Sequence, residues 1–290
     1  MAALILPTFA LGQARTPSHV YQEAEILQQE IILLRKSKGQ SQTFRDPGVQ
    51  YNKLPLHVYA KGLEVLEKIS NLRTTNGLPA TAVARIPIRK ITPGDVFGLM
   101  KKLQFELAPV KGAMGIGTRI AQVPFVGGKL PSDVYQSLWS TSFALDGLIP
   151  ALTPGHVYRN GDYVLKELKM IAKALKKNSP VKKEMVFAKR KITPRDVLVE
   201  SFKTLYLIAQ LERKVGVPPF SPPSFPIGNI TPSDPFDATS MLLAELVRVK
   251  LRLNITKDYQ LAPLPSGKTP RDVLMVVSMA GTFLEHLAAN

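Results

Sequence analysis

A proline recurs along this chain at Pro17, Pro55, Pro93, Pro131, Pro154, Pro194, Pro232 and Pro270, at intervals of 38, 38, 38, 23, 40, 38 and 38 residues. Self-similarity at a period of this size means stacked copies of one supersecondary unit, none of which can bury its apolar face alone. The residue before each proline is Thr, or Leu at Leu54 and Leu130. Two residues after it stands Asp (Asp95, Asp133, Asp196, Asp234, Asp272) or His (His19, His57, His156). Threonine caps a helix, and proline suits the first helical position, where an N–H has no partner to lose. An acidic side chain in the first turn accepts bonds from the open N–H groups. Eight helices are therefore expected to start near residues 16, 54, 92, 130, 153, 193, 231 and 269.

The residues that follow supply a packing face. Counting from the proline, position +3 is Val in every copy but one, which has Pro235. Position +14 is Ile31, Ile69, Leu107, Leu145, Leu168, Ile208, Leu246 and Leu284, and position +17 is equally aliphatic from Leu34 to Leu287. Alternating steps of four and three make a helical seam. Gly39, Gly77, Gly115, Gly216 and Asn254 at +22 read as left-handed C-caps, with Asn178 expected to do the same in the copy that is two residues longer. Each helix is then about 22 residues, or about 33 Å, long. The fifteen or so remaining residues must return the chain to the starting level. A second helix of that length covers only about 22 Å, whereas polyproline II covers about 46 Å. Prolines such as Pro79, Pro87, Pro124, Pro180 and Pro218 to Pro226 populate these connectors. The expected fold is an all-α repeat protein: eight long parallel helices alternate with extended polyproline II-like returns in a single repeat domain over 1–290. The alternative is an α/β solenoid with a parallel strand in each return, for which Val83–Ile86 and Met185–Phe187 are suitable.

The 23-residue interval leaves only Gly147 to Leu152 between the fourth and fifth helices. It divides the chain into pseudo-halves 1–150 and 151–290, with helices four and five expected to form a tight antiparallel pair. The T-P-x-D-V motif, the aliphatic seam and the Gly at +22 resemble the bacterial toroid repeat proteins built from α-helix/polyproline II hairpins, and they cover nearly the whole chain. The resemblance implies a closed ring and implies no activity. The final helix keeps the apolar seam of the interior ones, where an open solenoid needs a polar cap. A monomeric closed ring is therefore favoured over an end-to-end dimer.

Composition narrows function less than it narrows fold. Without cysteine there is no thiolate chemistry. No apolar run is long enough to span a bilayer. Met1 to Ala14 is apolar and ends in small residues like a secretory signal, without the charged start such a signal needs. It reads either as an export signal or as part of the first repeat, so a periplasmic or exported location is expected, with cytoplasmic as the alternative. The formal charge of +16 favours anionic partners: a small anion, an acidic protein or nucleic acid. Lys53, Lys90, Lys129, Lys191 and Lys268 precede helix starts and would form a basic rim for an anionic ligand or acidic partner. Lys182-Lys183 and Lys189-Arg190-Lys191 are the densest basic stretch, but they lack the aromatic interleaving of a nucleic-acid motif. The three first-turn histidines read as helix-start polar groups, and the aromatic row Tyr21, Tyr59, Phe97, Tyr135, Tyr158 and Phe236 reads as core. Gly112 to Gly117 superficially resembles a dinucleotide loop but follows a helix. No nucleophile–base–acid set, metal-ligand cluster or cofactor motif appears. The expected function is a non-enzymatic ring-shaped scaffold or binding protein that recognises an anionic ligand or acidic protein partner; the alternatives are a nucleic-acid-binding repeat protein and an enzyme with a site inside the ring.

Overall fold

Proline and its first-turn acceptor open the helices as expected. The structure is a computed structural model and describes residues 14–41, 43–118, 120–178, 190–259 and 262–289. It contains α1 (Pro17–Ser37), α2 (Pro55–Thr75), α3 (Pro93–Ala113), α4 (Pro131–Asp146), α5 (Pro154–Ala174), α6 (Pro194–Lys214), α7 (Ser233–Arg252) and α8 (Pro270–Ala288). The Thr92 and Asp95 pair shows the start. The Thr92 N–H donates to the Asp95 carboxylate at 2.7 Å, and the Asp95 N–H donates back to the Thr92 hydroxyl at 3.3 Å. Histidine substitutes through Nδ1, which accepts the Leu54 N–H at 2.8 Å from His57 and the Thr153 N–H at 3.2 Å from His156. In the seventh repeat Thr231 and Asp234 make the same bond at 2.8 Å, although the helix begins one residue later, at Ser233.

The helices stop where the backbone turns left-handed at +22: Gly39, Gly77, Gly115, Gly216 and Asn254. In the longer copy that residue is Lys176, with φ 53°, and not Asn178. The two extra residues lie in the connector, because helix length is set by the seam that has to be buried. Among the described residues there is no strand, so the α/β alternative falls. Val83–Ile86 is irregular, and Met185–Phe187 lies outside the described residues. Most of Met1 to Ala14 and of the 182–191 basic stretch is also outside them.

The helices pack in two cycles of four. Helix α1 packs on α3 and α4, and α2 packs on the same two. Helix α5 packs on α7 and α8, and α6 packs on the same two. Sequence neighbours α1 and α2, like α5 and α6, are thus diagonal. Within a half the helices are parallel. Pro17, Pro55, Pro93 and Pro131, with Val20, Val58, Val96 and Val134, surround one hollow of about 10 Å³ where four N-termini meet. In the other half the ends converge: Lys214 at the end of α6 reaches the Leu287 carbonyl at 3.0 Å, and Arg252 at the end of α7 reaches the Val215 carbonyl at 3.0 Å. The +14 and +17 residues form the two cores and are fully buried, apart from the partly buried Leu148 beyond the end of the short α4.

Two expectations are corrected here. Helices α4 and α5 are not a packed pair; the main helix contact between the halves is α2 with α7. Nor are all eight helices parallel. His57 at the start of α2 meets Glu245 late in α7, while Lys68 further along α2 reaches Asp146, whose carboxylate also accepts from Ser233 at the start of α7. The halves therefore run antiparallel. With its return segment missing, the joint after α4 leaves the chain at the far end of the first bundle, so the second bundle starts from there in the opposite direction.

Candidate functional site

The lysines that precede the helix starts do not form a uniform ring of open charge. Lys53 is buried, with its ammonium 5.0 Å from the centre of the Tyr135 ring and 4.8 Å from that of Phe220. Desolvation lowers its pKa to about 8, against an opposing pull from Glu245. Lys129 lies 4.3 Å above Tyr21 and Lys268 lies 4.0 Å above Tyr158, both half-buried. Arg15 covers Phe97 at 4.3 Å. A basic residue ahead of one helix thus sits on the +4 aromatic of its neighbour in the cycle, a cation–π contact of about 0.5–2 kcal/mol. Lys90 and Lys191 are exposed.

The polar chemistry concentrates elsewhere, in the seam between the halves. Helix α2 places His57, Lys61, Glu64 and Lys68 on one stripe at steps of four, three and four, and all four are buried. Lys61 Nζ lies 2.7 Å from Glu64 and 3.5 Å from Asp237 of α7. The Trp139 indole N–H donates to Asp237 at 2.7 Å, and the Ser142 hydroxyl donates to Glu64 at 2.9 Å. Lys68 is paired with Asp146 at 2.6 Å. Burial pushes Glu64 up to about 8, with repulsion from Asp237 adding to it, so its carboxyl keeps a proton at neutral pH. Lys61 then balances Asp237 alone, and the buried charge closes. A second group joins His57 to Glu245 at 2.9 Å, Glu245 to Arg248 at 2.5 Å, and Arg248 to Glu212 at 2.9 Å. Burial opposes the Glu245 charge, but His57 and Arg248 outweigh it and bring its pKa to about 2. Glu212 is raised to about 8, by burial first and then by Glu245.

Beside this network a cleft of about 380 Å³ opens between α2, α5, α7 and the α2–α3 connector. Leu63, Val83, Ile86, Leu243 and Val247 give it an apolar wall. The polar groups of Arg159, Asn160, Tyr163, Ser240 and Glu67 also line it. The Arg159 guanidinium donates to Glu67 through one nitrogen, while its buried Nε has no hydrogen-bond partner. Asn160 is held by Ser240 at 3.0 Å, and the neighbouring His156 has its pKa lowered by burial. Arg85 closes one edge by pairing with Glu167 and, at 2.9 Å, with Asp258. Among the described residues no three His, Asp or Glu side chains are placed to hold a metal ion.

None of the polar cleft residues Glu67, Arg159, Asn160, Tyr163 and Ser240 stands out in the sequence. The repeat template accounts for the face each helix turns to its own half, whereas the cleft depends on how α2 of one half meets α5 and α7 of the other. No protein-family model matches the chain, nor does any curated protein or any solved structure.

Proposed function

We propose that the protein is a non-enzymatic helical scaffold that holds a small anionic ligand in the cleft between its two halves, with Arg159 as the anchor. The observation that carries this reading is the Arg159 guanidinium on the lining of a cleft of about 380 Å³, with one terminal nitrogen given to Glu67. That volume lies within the range of small-molecule sites, about 300–1,000 Å³, which are mostly apolar with a few fixed polar groups. A carboxylate placed on a guanidinium gains a charge-assisted hydrogen bond. The apolar wall suits a hydrocarbon body and the Arg159 side an acidic head, so a medium-sized organic carboxylate is the ligand class. In the same reading the proline-bearing connectors are polyproline II returns.

Titration calorimetry of a panel of aliphatic and aromatic carboxylates against their amides tests it. Carboxylates should bind and the matched amides should not. Arg159→Gln should weaken binding at least about tenfold, which is about 1.4 kcal/mol. Equal binding of acid and amide, or no loss in Arg159→Gln, rejects the site.

A further inference from the structure

Four large apolar side chains are exposed within the helices of the described residues: Phe105 on α3 at 74 %, Tyr206 and Val199 on α6 at 59 % and 39 %, and Met275 on α8 at 42 %. Their places in the repeat are informative. Offsetting by the 139 residues between Pro55 and Pro194, Val199 corresponds to Ala60 of α2 and Tyr206 to Glu67. By the same offset between Pro93 and Pro232, Phe105 corresponds to Ala244 of α7. Ala60 and Ala244 both line a small hollow in the α2–α7 contact, where the two halves join. Val199 on α6 and Phe105 on α3 thus occupy positions that are buried where α7 meets α2, whereas Tyr206 takes the place of the half-buried Glu67, which pairs with Arg159 of α5.

The pattern extends along both stripes. The α7 residues Asp237, Met241 and Ala244 are buried against the other half, while their counterparts Gly98, Lys102 and Phe105 are exposed. The α2 residues Ala60 and Glu64 are buried, and their counterparts Val199 and Lys203 are exposed. Because α6 sits in its half as α2 does, and α3 as α7 does, one face of each half has a counterpart in the other. The internal joint uses the α2 face of the first half and the α7 face of the second. It leaves an α7-like face, on α3, at one end of the molecule and an α2-like face, on α6, at the other.

We propose that these two end faces bind each other between copies, α6 of one molecule antiparallel to α3 of the next, repeating the internal α2–α7 joint. A contact between two different faces is heterologous, so it builds a closed ring if its rotation closes and a chain if it does not. In this geometry Val199 and Phe105 replace the Ala60–Ala244 pair.

Light scattering after gel filtration tests the proposal with Phe105→Glu and Val199→Glu, both on exposed positions and both checked for native helix content and melting. The wild type, 31.9 kDa as a single chain, should run at twice that mass or more at about 100 µM, well above a Kd of about 10 µM. Each variant alone should run as a single chain. Mixed in equal amounts they should form a complex of two, because each still carries the face that the other needs. Three results each overturn the proposal: a wild type that stays single at that concentration, a variant that assembles alone like the wild type, or a mixture that stays single.

Discussion

Gly155 and Gly94 occupy the same repeat position, one residue past the helix-opening proline, and their surroundings separate two reasons for having glycine there. A Cβ on Gly155 would stand 2.3 Å from the Pro265 carbonyl oxygen, a backbone atom that cannot swing away. A Cβ on Gly94 would meet nothing nearer than the Thr92 hydroxyl, at 3.6 Å. Gly155→Ala should therefore lower stability by about 1–3 kcal/mol, the usual cost of overpacking. Gly94→Ala should leave stability unchanged or raise it by up to about 1 kcal/mol through helix propensity. Thermal melts of the two variants side by side decide this, and equal shifts would count against the close approach at Pro265. The first-turn histidines belong to the same scale. Nδ1 takes the capping bond that Asp takes in the other repeats, so His19, His57 and His156 are explained without a metal.

Helix α2 shows how much of an element was legible beforehand. Its start, its stop and the faces of Val58, Ile69 and Leu72 follow from the repeat, because capping and periodicity are local. The burial of His57, Lys61, Glu64 and Lys68 does not follow. Helix α6 carries Asp196, Glu200 and Lys203 at the corresponding sites and none of the three is buried, so the same polarity has opposite surroundings in the two copies. Only the tertiary partner decides, and the repeat template contains no term for it. The same limit hid Arg159 and the cleft. Burial of Glu64 has a consequence that can be measured. An unfolded glutamate releases its proton near pH 4.5, whereas folded Glu64 holds it to about 8. Between those values the folded state binds more protons, so this group lowers stability as pH rises and has no further effect above about 8. Glu64→Gln should gain stability relative to wild type from pH 5 to pH 8, read as a growing difference between their urea midpoints. A constant difference would mean that Glu64 is ionised in the folded state.

At the scale of the whole molecule, the joint between the halves sets what the chain tolerates. Pro150 and Ala151 are exposed, and α4 and α5 do not pack on each other. Four Gly/Ser residues inserted between Pro150 and Ala151 should cost no more than about 1 kcal/mol, since each doubling of a loop adds about 0.6 kcal/mol. A loss of several kcal/mol on denaturant unfolding would show that the joint fixes the two halves in place. The diagonal placement of α1 and α2 also bears on how the chain acquires its shape as it is made. When the first two helices have left the ribosome, neither has a neighbour to pack against, for their partners α3 and α4 are still to be synthesised. Their seams stay wet until the third helix arrives and bridges them, and the cycle closes only with the fourth. The smallest piece that can settle during synthesis is therefore a half. The short joint after α4 falls where a translating chain first has something finished behind it.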